Sequence, residues 1–209
     1  MKILTKPSFE EEQILWNSNI NYVIGIDEVG RGAFAGPIVA AGVVFHPNVN
    51  IDLLCDVNDS KLIRPKLREE LSEVIKENAL FWTIQQIDIN FINKFGIGKA
   101  NAQVMKNALT ELRIKIKSEN YYALIDGFNL KIPKQKAIIN GDKISLSIAA
   151  ASILAKVFRD DIMRQASSKY PNYLFAKNKG YGTLEHREAI RSNGLCDYHR
   201  TSFDLQKFL

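Results

Sequence analysis

Asp27 and Glu28 close an apolar run and lead directly into a glycine-rich turn, GIDEVGRGAFAG, residues 25–36. Two carboxylates about 4 Å apart repel by about 4 kcal/mol at an effective dielectric of about 20. A chain that sets such a pair where its backbone turns has a cation to place between them. Two further acids, Asp126 and Asp142, follow predicted strands in the same way. Each has a structural alternative: Asp126 precedes Gly127 and can shape a turn, and Asp142 can cap a helix that begins near Ser145. Adjacent acids at the end of a buried strand have no comparable structural use. Carboxylates offer hard oxygen donors, which suit Mg²⁺ or Mn²⁺ better than zinc. A pair of such ions can stabilise both the entering and the leaving oxygen of a phosphoryl displacement.

The elements that must bring these acids together can be read from periodicity. Residues 22–27 (YVIGID) form a short buried strand and residues 37–45 (PIVAAGVVF) a second, with the glycine turn as the bend between them. Residues 64–78 carry Leu67, Leu71, Val74 and Ile75 at amphipathic-helix spacing. Residues 80–88 read as a third strand, 121–125 (YYALI) as a fourth and 136–139 (KAII) as a fifth. A helix over 99–117 and a long one from 145 to about 167 complete the pattern, followed by short helical pieces around a Lys179-Gly180-Tyr181-Gly182 turn. This order predicts one α/β domain over 1–209 with a mixed five-stranded sheet flanked by helices, and a small helical C-terminal extension over about 170–209. In open α/β sheets, sites form at strand ends, where acids distant in sequence can meet.

A chain of 209 residues has room for one well-buried core, and its net charge of +5 is compatible with a nucleic-acid partner without requiring one. No apolar run is long enough to span a bilayer, and the N-terminal residues lack the apolar core of a signal peptide. A cytoplasmic protein without membrane contact is expected, with Cys55 and Cys196 as free thiols. His46, His186 and His199 show no ligand spacing and read as structural or surface residues. The glycines at 30, 32 and 36 also invite a dinucleotide-binding reading. Pro37 and the β-branched run after it predict a strand where that fingerprint needs a helix.

Taken together, several segments resemble bacterial ribonuclease HII, the type 2 class of ribonuclease H. They are GIDEVGRGAFAGP (25–37), NDSKLI (58–63), LIDG (124–127), NGD (140–142), SIAAASILAKVFRD (147–160), NKGYGT (178–183) and HRTSF (199–203). The resemblance implies a ribonuclease H-like fold and two-metal cleavage, with Mg²⁺ or Mn²⁺, of RNA–DNA hybrids and ribonucleotide-containing duplex DNA. It implies nicking on the 5′ side of the ribonucleotide, leaving 3′-hydroxyl and 5′-phosphate ends; separately, a monomer is expected. Asp27, Glu28, Asp126 and Asp142 match the family's catalytic, metal-holding acids. Gly30, Arg31 and Gly32 match the turn that reads the ribose 2′-hydroxyl through backbone groups, and Tyr181 the tyrosine at the RNA–DNA junction. Glycines allow close backbone approach, and locally only the 2′-hydroxyl separates RNA from DNA.

Lys61 is a candidate phosphate contact. Lys156 and Arg159 lie one turn apart, where they can serve the nucleic-acid backbone or pair with Asp160. The chain departs from the family pattern at Ala33-Phe34, where Pro-Leu is usual, at Asn178, where histidine is frequent, and in a slightly short spacing from Asp126 to Asp142. The sister class, ribonuclease HIII, lacks the turn's arginine and carries an extra N-terminal domain. A non-catalytic nucleic-acid-binding module and a nucleotide-dependent oxidoreductase are the competing readings.

Overall fold

β-Branched residues fill Tyr22–Val29 (β1) and Ile38–Val44 (β2), and the two strands pair antiparallel from Ile24↔Val44 to Val29↔Val39. The structure is a computed structural model that describes residues 6–60 and 63–208. Phe81–Ile87 (β3) pairs antiparallel with the far edge of β2. On the other side of β1, Tyr121–Asp126 (β4) runs parallel to it, and Gln135–Ile138 (β5) runs parallel to β4. The result is a mixed five-stranded sheet in the order β3-β2-β1-β4-β5.

Seven α-helices surround it among the described residues: Glu10–Asn17 (α1), Pro65–Asn78 (α2), Ile89–Phe95 (α3), Ile97–Ile116 (α4), Leu146–Lys169 (α5), Phe175–Asn178 (α6) and Leu184–Asn193 (α7). Strand alternation divides the core between two faces. Ile24 and Ile26 of β1 pack with Val104, Met105, Ala108 and Leu112 of α4. On the opposite face Val39, Ala41 and Val43 of β2 pack with Leu71 and Ile75 of α2 and with the alanine-rich start of α5. Gly25 makes this second contact possible. A Cβ there would lie 2.2 Å from the main-chain carbonyl carbon of Ser147 and 2.5 Å from the Ile148 nitrogen.

The expected strands and long helices are present, with differences that have local causes. β1 does not stop at Asp27. Asp27 and Glu28 stay in register with Ala41 and Ala40, so both acids lie within the strand, and the bend begins at Gly30 (φ +93°). No helix opens after Gly36; the chain enters β2, as Pro37 predicts. α4 starts at Ile97, directly after Gly96 (φ +82°), rather than at 99. Helix α3 was not expected; the Asp88 side chain caps it by accepting from the Phe91 N–H at 2.8 Å. Helix α1 was also not expected, and it carries three glutamates in its first turn, where the helix dipole favours them. After α5, the residues of α6 and α7 join Ala35 and Met163 in a separate apolar cluster around Tyr173, Phe175 and Ile190. This fastens the C-terminal segment to the glycine turn.

Because neighbouring backbone blocks a side chain at position 25, Gly25→Ala should cost about 3 kcal/mol of stability, read as a lower urea midpoint with an unchanged slope.

Candidate active site

The last register pair of β1 with β4 is Ile26↔Ile125, so the next residue on each strand is an acid: Asp27 and Asp126. Two residues earlier on each strand, Gly25 and Leu124 both meet the start of α5. By strand alternation the two carboxylates therefore stand on the α5 face. Glu28 joins them at the rim of a cavity of about 400 Å³, whose wall also holds Ser60, Ser152, Lys156 and Tyr181. Asp142 comes from the 3₁₀ turn Gly141–Lys143, just before α5. That turn is tied to β4 by the Gly141 N–H, which donates to Asp126 Oδ1 at 2.6 Å. Below the turn, Ser145 caps α5 by accepting from the Ile148 N–H, and its hydroxyl donates to the buried Glu12 of α1 at 2.6 Å.

Asp27 is the electrostatic centre of this group. Burial pushes its carboxyl well above the ordinary range, and the like charges of Glu28, Asp126 and Asp142 push it further. The Glu28 N–H donates to Asp27 Oδ1 at 2.7 Å, and the Ser152 hydroxyl opposes the shift by bonding the same side chain. Ser152 is in turn 3.0 Å from the Ser60 hydroxyl. Among the described residues, no three His, Cys, Asp or Glu side chains close into one metal-ligand group. The four acids are grouped, but an oxygen of Asp27 and one of Asp126 accept main-chain N–H groups. Their oxygen-only donor set, pressed together by burial, fits a hard divalent cation. Lys156 pairs with Asp160 at 2.5 Å, and burial lowers its pKa despite that partner.

Beyond Val29 the chain turns through Gly30, and Arg31 and Gly32 are exposed. This turn is sewn to the one that carries Tyr181: the N–H groups of Phe34 and Ala35 both donate to the Gly180 carbonyl, at 2.8 and 3.2 Å. Asn178 holds the second turn from inside, donating to the Tyr173 carbonyl at 2.7 Å and accepting from the Gly180 N–H at 2.8 Å. Tyr181 lies with its ring 5.3 Å from the Arg159 guanidinium.

A sequence model of the family described as Ribonuclease HII matches residues 24–206. The chain belongs to the ribonuclease HII family. It is 44% identical over 194 residues to the ribonuclease HII of Caldanaerobacter subterraneus subsp. tengcongensis, covering 92% of this chain and 78% of that one. It is 44% identical over 199 residues to the ribonuclease HII of Caldicellulosiruptor bescii, covering 93% and 92%. In three dimensions it is similar to Bst-RNase HIII in complex with Mn²⁺, at a TM-score of 0.73 and 21% identity over 90% of this chain and 69% of that one. The fold is thus ribonuclease H-like, and membership of the ribonuclease HII family makes the protein a nuclease of the ribonuclease H type. No helix among the described residues is long and apolar enough to cross a membrane.

Of the residues singled out in the sequence, Asp27, Glu28, Asp126 and Tyr181 line one cavity. Asp142 acts on Asp27 from the adjoining turn, and Gly30, Arg31 and Gly32 continue from the Val29 wall. Lys61 lies outside the described residues. Ser60 and Ser152 were not anticipated, although Ser152, Lys156 and Arg159 recur at helical spacing along an alanine-rich helix. Lys156 pairs with Asp160, one of the two roles its spacing allows. Arg159 instead reaches main-chain carbonyls. Cys55 and Cys196 are free.

Two of the three histidines form a buried pair. His186 Nδ1 lies 2.9 Å from the Tyr181 carbonyl, which can only accept, so that nitrogen carries the proton. His186 Nε2 is then the acceptor for the His199 Nε2–H at 3.1 Å, while His199 Nδ1 accepts from the Cys196 N–H at 3.0 Å. Each ring is neutral, and a further proton would oppose two N–H groups. Burial lowers both pKa values; His199, with His186 beside it, is pushed down from 6.5 to about 4. Between those limits the unfolded chain binds a proton that the native pair refuses. Stability present above pH 6.5 should therefore be lost as pH falls toward 4. The raised carboxyls of Asp27 and Glu12 act in the opposite sense, so the histidine contribution is read as the difference in urea midpoint between wild type and His199→Gln, which should shift against wild type from about pH 7 to about pH 5.

Proposed function

We propose that this nuclease hydrolyses the RNA strand of RNA–DNA hybrids and nicks duplex DNA on the 5′ side of a single embedded ribonucleotide, leaving 3′-hydroxyl and 5′-phosphate ends. The observation that carries this reading is the gathering of Asp27, Glu28, Asp126 and Asp142 around the ends of β1 and β4, with the burial of Asp27 opposing its own charge. Such a group gains most from a divalent cation, and a structural neighbour, Bst-RNase HIII, has been crystallised with Mn²⁺. The four acids would hold two Mg²⁺ or Mn²⁺ ions, which when bound supply Lewis-acid stabilisation of the oxygens that enter and leave phosphorus.

The chain's own residues supply positioning. The Glu28 N–H and the Ser152 hydroxyl fix the Asp27 carboxyl, and the Gly141 N–H fixes that of Asp126. Gly32 is exposed, and a Cβ placed on it would meet no heavy atom of the chain within 4 Å, so the main chain there is open to a close approach by a sugar. Gly30, Arg31 and Gly32 read the 2′-hydroxyl through backbone groups, Tyr181 meets the sugar at the junction, and Lys61 contacts a phosphate.

A duplex with one ribonucleotide, incubated with Mg²⁺ or Mn²⁺ and resolved on a denaturing gel, tests this directly. Asp126→Asn should abolish nicking while duplex binding persists; full activity in that variant would remove Asp126 from the site. If about five phosphates are contacted, log affinity should fall against log salt with a slope of about −4 to −5. A flat response would rule out the proposed duplex contact.

A further inference from the structure

Arg159 on α5 and Arg200, which follows α7, are both fully buried. Among the described residues every hydrogen bond from their guanidinium groups goes to a main-chain carbonyl. Arg159 donates to Pro37 at 2.9 Å, to Lys179 at 2.8 Å and to Ala35 at 3.0 Å. Arg200 donates to Gly36 at 2.9 Å, to Arg31 at 3.1 Å and to Pro37 at 3.0 Å. The carbonyls come from just two places, the glycine turn after β1 and the turn that presents Tyr181.

The surrounding geometry shows how tightly this is built. A Cβ on Gly30 would sit 2.2 Å from Arg159 Nε, and the Arg200 N–H adds a further bond to the Phe34 carbonyl at 2.8 Å. Keeping two like charges here is costly: burial lowers both pKa values, that of Arg200 to about 9, with Arg159 as a second cause. An apolar pair would fill the space without that cost. A planar fork holds five donors on three nitrogens in fixed directions, whereas a lysine gathers three donors on one nitrogen and an apolar side chain has none.

We propose that Arg159 and Arg200 are positioning residues that lock the Gly30-Arg31-Gly32 turn and the Tyr181 turn into one frame, and thereby set the selectivity for a ribonucleotide over a deoxyribonucleotide. This rests on the reading of those two turns as the sugar-reading elements. Neither guanidinium reaches the surface. Their effect is transmitted through the carbonyls they hold, because recognition of a single hydroxyl by main-chain groups depends on where those groups stand.

The test compares wild type with Arg200→Lys and, separately, Arg159→Lys, both of which keep the charge and lose the fork. Affinity is measured in EDTA for a duplex with one ribonucleotide and for the same duplex in all-DNA form, beside thermal unfolding of each variant. In a variant that unfolds cooperatively, the preference for the ribonucleotide duplex should fall by about tenfold. A preference within twofold of wild type, or an equal loss of affinity for both duplexes, would overturn the proposal. If Arg200→Lys does not fold, Arg159→Lys decides; if neither folds, the arginines are general core supports and the proposal fails. A wild-type protein with no preference at all would instead refute the functional reading of the turns.

Discussion

Burying a carboxylate among three others is the constraint to which this molecule is fitted. Water would normally disperse that repulsion, and Asp27 is almost wholly shielded from it. What remains is a set of directed dipoles: a main-chain N–H from Glu28, a hydroxyl from Ser152 and, one strand over, the Gly141 N–H on Asp126. Each works only if its backbone is held to within tenths of an ångström. The surrounding core provides that rigidity, with β1 paired on both sides and α5 pressed against it over Gly25.

The second demand is that a flexible glycine turn be both open and fixed. Openness comes from Gly32, whose space is left free, and fixity from hydrogen bonds that cross the chain between residues 31–37 and 178–200. The C-terminal segment is thus more than a covering for the sheet. Its aromatic cluster around Phe175 and its neutral histidine pair anchor the Tyr181 turn, and through Gly180 they anchor the glycine turn as well.

Local patterns carried much of this. Alternating and run-like apolar stretches marked all five strands, and the helical period marked α2, α4 and α5. Adjacent acids before a glycine turn marked the site. What could not be read was mostly long-range. Arg200 lies more than 160 residues from the carbonyls it holds, and nothing in HRTSF says that its guanidinium points inward. The Glu12–Ser145 bond joins a helix that resembles a charged N-terminal segment to the cap of α5. The end of β1 is obscured for a different reason. Polar residues looked like a strand terminus, whereas the ladder to Ala40 and Ala41 continues beneath them. Asn178 is a turn clamp whose amide serves as both donor and acceptor, through partners that its sequence neighbours do not reveal.

The order of synthesis gives the Arg200 contacts another meaning. Chains are made from the N-terminus, so Asp27, Glu28, Asp126 and Asp142 are all in place before Arg200 is added. A molecule clipped soon after α7 would keep its acidic cleft and lose the brace on the turn beside it. On the proposed reading, such a fragment retains the means to cut a strand while its discrimination between sugars is loosened. On that reading Arg200, remote from the acids in sequence, would guard the choice of sugar and leave the power to cut untouched.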